Sequence, residues 1–439
     1  MAAPAALTQV PASSRRQTRV RTARLTTPNL LRVAGAVLAA GVIVVGAVAL
    51  RSTTDRRDAT RQVEFTATPR LVAAEDAYVK LADADATASS AFLQGSVEPV
   101  GLRQRYDADI HDAAQQLTAL AAGSGASPAA QQALADAARA LPVYTGLVEA
   151  ARADNRQGSL LGAAYLRSAS ALMRATILPS TTTVYEDAAR QVDAGYRAGT
   201  APGALVAVVA TTGVLLILLV VTQVALARRT RRVLNVGLVL ATVLVLTIGA
   251  WSIGALVAQQ NALTRSQREG SDALQILSTA RILTLRSFSD ENLELIQRGA
   301  TPEYIPDFDR VQHELQGGTG LLAAARSIAA RNGSTAPVDT LIRDNARYLD
   351  DHTAWQQRAN TDGDYLGAVK VATGTEVADF SMLDNAYRRD VGTAGARLTA
   401  HAATARDALG GLAIGAVILA ILAAACTVLG LRRRIQEYS

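Results

Sequence analysis

Two uncharged apolar runs, Ala204 to Ala227 and Val233 to Val257, meet at a knot of arginines, Arg228, Arg229, Arg231 and Arg232. Each run exceeds the ~20 residues that a helix needs to cross a bilayer core. In hydrocarbon the backbone finds no water, so each run must close its own hydrogen bonds as a helix. The link 228–232 is long enough only for a turn, and its charge assigns it to the cytoplasmic face. Two further uncharged runs, Val33 to Leu50 and Leu409 to Leu431, bring the expected spans to four. Val33 to Leu50 also permits a cleaved signal peptide. The corresponding span of the second half cannot be one, which favours a retained anchor.

The charge is placed unevenly. Residues 1–32, 228–232 and 432–439 together hold 13 Arg and a single acid, Glu437. The long segments between the spans are mildly acidic: 15 Lys and Arg against 17 Asp and Glu in 51–203, and 16 against 20 in 258–408. The basic surplus therefore lies beside the spans on one side, which puts both termini in the cytoplasm and both long segments outside. It also argues against nucleic acid as a partner, despite the net charge of +6. The single cysteine, Cys426, falls in the last span, so no intramolecular disulfide or Cys-based metal site is available.

Both external segments are rich in helix formers and are cut by Gly, Pro and Asn into four helices each. The breaks give about 51–94, 98–122, 129–154 and 159–199, then 258–298, 303–331, 337–360 and 363–408. Pro142 and Pro179 fall inside helical patterns and are expected to kink or interrupt them. The halves also share letters. Asn155, Gly158, Leu161, Gly162 and Ala163 match Asn360, Gly363, Leu366, Gly367 and Ala368, each pair 205 apart, and Tyr106, Asp107 and His111 parallel Phe308, Asp309 and His313. The expected fold is all-α: an integral membrane protein with four transmembrane helices and two tandem extracytoplasmic four-helix bundles. The first and fourth helices of each bundle are expected to continue straight out of the spans. The segments are 1–32 (basic tail), 33–50, 51–203 (first bundle), 204–227, 228–232, 233–257, 258–408 (second bundle), 409–431 and 432–439.

No catalytic constellation is present. His111, His313, His352 and His401 are scattered, and His313-Glu314 is not completed to a zinc motif. The run Gly317, Gly318 and Gly320 lacks the Lys-Ser/Thr of a phosphate loop. The expectation is a non-enzyme with no cofactor and no metal. Three polar residues fall on the apolar stripes of the helices: Asp85 between Leu81 and Ala88, and Arg281 and Glu291 on the seam from Leu274 to Leu295. Such groups set packing register or bind a small charged ligand. In the spans, Gly411 and Gly415 form a GxxxG pair, and Gly35 with Ala39 a small-xxx-small pair. Both permit close helix contact and an oligomer.

The chain resembles the GlnX family, the four-span membrane proteins of mycobacteria and relatives, in length, span layout and duplicated bundle plan. The resemblance implies a sensing pathway. A solute-binding lipoprotein of GlnH type outside detects acidic or related amino acids. The signal passes through the membrane protein to a cytoplasmic Ser/Thr kinase of protein kinase G type. Two other readings remain beside it: a stand-alone receptor with a ligand in its bundle, and a structural protein of the envelope. On the first reading, the far bundle tips are the docking place, with Arg156, Gln157, Asp362, Asp364 and Tyr365 as contacts and Tyr365 as anchor. The cytoplasmic output then uses the basic rim of Arg228, Arg229, Arg231, Arg232, Arg432, Arg433 and Arg434.

The topology is open to a direct check. Reporter fusions near Gly125 and Gly333 should be active only with an external reporter, and a fusion at Arg229 only with a cytoplasmic one. Cytoplasmic reporter activity at Gly125 would reverse the assignment.

Overall fold

The computed structural model describes residues 27–159, 161–230, 235–297 and 304–436. Every regular element among them is helical. The first half comprises α1 (Thr27–Gln62), α2 (Thr68–Leu93), α3 (Val100–Ala122), α4 (Pro128–Arg156), α5 (Leu161–Leu172) and α6 (Leu178–Thr200). Next come α7 (Gly203–Thr230), α8 (Val236–Arg265), α9 (Asp272–Gln297), α10 (Tyr304–Gln316) and α11 (Leu321–Arg331). The chain closes with α12 (Ala336–Gln356), α13 (Tyr365–Thr373), α14 (Thr375–Ala408) and α15 (Leu412–Gln436). Four helical stretches are long and apolar enough to cross a membrane. Their large apolar side chains face outward: Ile43, Ile217, Val243 and Ile421 are each more than half exposed, as lipid-facing residues are.

The chain divides into two compact units. One contains residues 1–46, 211–247 and 418–439. Inside it the helices approach closely through glycine. A Cβ on Gly237 would lie 2.5 Å from the Gly430 Cα, and Asn235 Nδ2 donates to the Gly430 carbonyl at 3.0 Å. Gln223 Nε2 donates to Thr242 Oγ1 at 2.9 Å. The other unit contains residues 47–210 and 248–417, so both long segments belong to a single body.

Within that body each half supplies four antiparallel helices. Helix α2 packs on α3 and α6, and α4 on α5 and α6; α9 packs on α10 and α14, and α12 on α11, α13 and α14. The duplication is exact in burial. Leu134, Ala137, Leu141, Tyr144, Val148 and Ala151 are buried in α4, and Val338, Leu341, Asn345, Tyr348, His352 and Trp355, each 204 positions later, are buried in α12. Leu71, Ala74, Ala77, Leu81, Asp85 and Ala88 of α2 have buried counterparts 203 positions later in α9. The halves share their cores. Val79, Ala82 and Ala86 join the core of the second half, and Leu293 joins that of the first. Helices α2 and α9 run along each other, and equivalent residues meet: Arg56 Nη1 donates to Gln259 Oε1 at 2.7 Å, 203 positions away. Like meeting like is the mark of a two-fold relation.

Several expectations need correction. The fourth helix of each half does not continue into its apolar span: the chain leaves the helix at Ala201–Pro202 and again at Leu409–Gly411. The first helix does continue. A π-helical turn at Val63–Ala67 joins α1 to α2, and another at Ser266–Ser271 joins α8 to α9. The expected helix 303–331 is broken around Gly317–Gly320, and 363–408 at Gly374. Helix α4 runs unbroken through Pro142, while Pro179 sits in the first turn of α6, directly after a π-helical turn at Met173–Ile177. Gly411 has φ +68° in the turn before α15, so it forms no helix-face pair with Gly415, whose absent side chain makes room for the Trp251 ring.

Gly158 and Gly363, 205 positions apart, both have left-handed backbones, φ +68° and +69°. A side chain there costs about 1–2 kcal/mol. Gly158→Ala and Gly363→Ala should each lower unfolding stability by about that amount while helicity is retained. Chemical denaturation followed by circular dichroism measures it.

Candidate functional site

The three polar seam residues are all buried, each in a separate cluster. Arg281 Nε donates to Asp384 Oδ1 at 2.7 Å. Arg105 Nη2 bridges Asp384 Oδ2 at 3.0 Å and Asp83 Oδ1 at 2.7 Å. Arg388 closes the ring, donating to Asp83 Oδ2 at 2.8 Å and Asp384 Oδ2 at 2.9 Å. Three arginines and two buried aspartates thus tie α2 and α3 of the first half to α9 and α14 of the second.

Asp85 lies where α2 meets α5 and α9. Its Oδ1 accepts from Ser170 at 2.8 Å and Tyr144 at 3.3 Å, and its Oδ2 accepts from Ser289 at 3.1 Å. Ser289 in turn accepts from Arg174 Nη2 at 3.1 Å, and Arg174 is ion-paired with buried Asp290. This network opens on a cavity of about 290 Å³ between the halves, lined by Tyr78, Asp85, Arg174, Thr182, Arg286 and Ser289 with apolar neighbours. The lining offers cations, an anion and hydroxyls around an apolar floor, which is a chemistry for small charged or zwitterionic molecules.

Glu291 occupies the third cluster, inside the second half alone. It is bonded to Tyr348 Oη and to His352 Nδ1, and Glu376 lies beside both. Trp355 Nε1 donates to Glu376 Oε1 at 3.0 Å. The His352 ring stacks on Phe308 with centroids 3.9 Å apart and meets Trp355 edge-on. Burial pushes the Glu291 carboxyl up to about 8, raises Glu376 well above the carboxylate range, and pulls His352 down to about 4. Without a bound cation, burial therefore favours the neutral form of all three. No sequence spacing announces this cluster, because its members come from three helices.

The tip residues fall into two groups. Arg156, Gln157, Asp362 and Asp364 are exposed. Asp364 and Tyr365, expected to have no structural duty, have one. Asp364 Oδ1 accepts from Gly367 N at 2.9 Å and caps α13. Tyr365 is half-buried against Leu93, Leu295 and Trp355, and its hydroxyl donates to the Leu295 carbonyl at 2.9 Å. It is an internal strut rather than a free anchor. The apolar side chains presented here are Leu161, 62 % exposed, and its counterpart Leu366, 79 % exposed. Of the basic rim, Arg228 and Arg432 are exposed. Arg231 and Arg232 lie outside the described residues, as do the side chains of Arg229, Arg433 and Arg434.

A family model described as an actinobacterial sensor domain matches residues 59–197. The match begins in the last turns of α1 and ends in α6, covering the first four-helix set. It supports a sensor protein of actinobacteria. Comparison with curated proteins and with solved structures returned no match.

The arginine ring makes a pH-dependent prediction. Burial alone would raise the Asp384 carboxyl, but Arg281, with Arg388 and Arg105, outweighs it and holds the group below its ordinary value. An acid depressed in the folded state stabilises above its unfolded pKa, near ~3.9, and that stabilisation is lost as pH falls through the folded value. Asp384→Asn should cost roughly 3 kcal/mol at pH 7, and the difference from wild type should narrow below pH ~4. Denaturation at the two pH values checks it; a gap independent of pH contradicts it.

Proposed function

We propose that this chain is a transmembrane sensor component whose eight-helix body lies outside the membrane, receives a signal and passes it to a separate cytoplasmic partner. The observation that carries the reading is the sensor-domain match on residues 59–197, set in a body whose first helices are unbroken into apolar segments. Helical hydrogen bonding runs from Thr27 through Leu93, and again from Val236 through Gln297. A displacement of α2 against α9 therefore has a covalent, helical route to the spans. The basic surplus beside the spans supports the orientation. By resemblance to the GlnX family, the signal is amino-acid availability presented by a solute-binding lipoprotein, and the receiver is a Ser/Thr kinase.

The lipoprotein docks, on this reading, at the tips where Arg156, Leu161 and Leu366 are exposed. Arg156→Ala combined with Leu161→Asp and Leu366→Asp should abolish co-purification of the lipoprotein while helicity and membrane abundance stay at wild-type level. Tyr365→Phe removes only a hydrogen bond to the backbone, so it should lower stability by about 1 kcal/mol and leave capture intact. Normal capture by the triple variant would move docking away from the tips.

A second reading is direct binding of a small charged ligand in the cavity between the halves, favoured by Arg174, Asp85 and Ser289 converging there. Titration of the detergent-purified chain with aspartate or glutamate separates the two. Saturable binding without any lipoprotein, lost in Arg174→Ala, would establish the second.

A further inference from the structure

The second half of the eight-helix body buries two carboxyls and an imidazole where the first half buries none. Counting along the repeat, Glu291 stands where α2 has Ala88, and His352 where α4 has Val148. On the fourth helix, the buried residues Leu166, Ser170, Ala188 and Val192 recur 206 positions on as Ala372, Glu376, Ala394 and Leu398, so Glu376 stands where the first half has Ser170. Tyr144 and Tyr348 are common to both. The scaffold is thus built once with Ala, Val and Ser in this layer, and the bundle does not need the ionisable groups in order to pack.

Burying two carboxylates is costly unless a cation answers them. The charges that bear most on the cluster are themselves acidic: Asp290, Glu294 and Asp309. No Lys or Arg makes a hydrogen bond or ion pair with Glu291, Glu376 or His352 among the described residues. One donor atom each from Glu291, His352 and Glu376 falls within 4.8 Å of the other two, a spacing that lets all three reach one ion. The surroundings hold the donors in place as the outer partners of a metal site do: Tyr348 bonds the second oxygen of Glu291, Trp355 bonds Glu376, and Phe308 stacks on the imidazole.

We propose that Glu291, His352 and Glu376 bind a divalent transition-metal ion of zinc type in the core of the second half. One imidazole and two carboxylates are a donor set zinc accepts, with a fourth position left for the Tyr348 hydroxyl or water. Two carboxylates and a dication sum to zero charge, which removes the burial penalty. The ion would join α9, α12 and α14 at one point, and α9 is continuous with an apolar segment. The proposal does not depend on the sensor reading, and either can fail without the other.

The test uses the full chain purified in detergent, stripped with chelator, exposed to Zn²⁺ and dialysed. Wild type should retain about one zinc per chain by mass spectrometry of metals and melt at a higher temperature than the stripped form. The variant carrying the first half's residues, Glu291→Ala with His352→Val and Glu376→Ser, should retain none and melt alike with and without zinc. If that variant loses helicity, His352→Asn, with helicity checked, carries the same comparison through its weakened zinc retention. A wild type that retains no zinc, or retention equal in wild type and the folded variant, overturns the proposal.

Discussion

The contact of α2 with α9 is what the rest of the eight-helix body hangs from. Each is the first long helix of its half, and each contributes to both cores. Their approach is made possible by small side chains: Ala74, Ala77, Ala84 and Ala88 on one, Ala273 and Ala280 with a run of serines on the other. Small residues alone would let the helices slide or rotate against each other. The buried polar groups prevent that. Asp83 and Asp384 are satisfied only when three arginines from two halves converge on them, and Asp85 only when Ser170, Tyr144 and Ser289 do. A one-residue slip would leave a buried carboxylate without its partners, at a cost of several kcal/mol. These clusters specify register more than they add stability.

The duplication explains both the likeness and the differences between halves. Spacing between equivalents is 203 on the first helix, 204 on the third and 205 at the tip, where Asn155 answers Asn360. The last step has a visible cause. Helix α12 ends in a π-helical turn, Gln357–Thr361, which absorbs one extra residue without breaking the helix, whereas α4 has none. An insertion of one residue in an α-helix rotates everything beyond it by about 100° unless it is taken up locally. Here it is taken up within a turn, and the tip retains the same Asn, the same left-handed glycine and the same exposed leucine.

Much of this was legible in the sequence, and the limits are physical. Apolar runs without charge mark the spans because hydrocarbon tolerates little else. Glycines such as Gly158 and Gly363 mark the tips because few residues adopt a left-handed backbone. Periodicity also put Asp85, Arg281 and Glu291 on the buried stripe. It says which face a residue occupies, however, and not which helix faces it. The partners of Arg281 lie at Asp384, and those of Glu291 at His352 and Glu376, separations with no local signature. Composition likewise hid the ends of α6 and α14. Ala201 and Leu409 are ordinary helix residues, and the chain turns there for reasons of packing that the local sequence does not state. Tyr365 was misjudged by the same route: its tip position suggested exposure, but the Leu295 carbonyl and a small apolar cluster receive it.

The first and fourth helices of each half end differently, and this bears on how a displacement travels. Where a helix is interrupted, as at 201–202 and 409–411, axial motion on one side is absorbed by a few free backbone angles. Where it continues through a π-helical turn, hydrogen bonding is unbroken and motion along the axis is transmitted. Both first helices carry such a turn at the same place, Val63–Ala67 and Ser266–Ser271, 203 positions apart at their starts. In both halves a glycine lets the fourth helix close on that turn: Gly195 makes room for Val63, and Gly270 makes room for Leu398. Across the halves, Tyr196 bonds Ser266 at 2.8 Å, and Ser266 donates to the Leu398 carbonyl at 2.9 Å. The two continuous helices are therefore held together at their π-helical turns by polar contacts that a small shift would exchange rather than abolish. A pair of continuous rods, keyed to each other by buried charge and clasped at a point of adjustable register, is suited to move as two alternatives rather than to deform gradually.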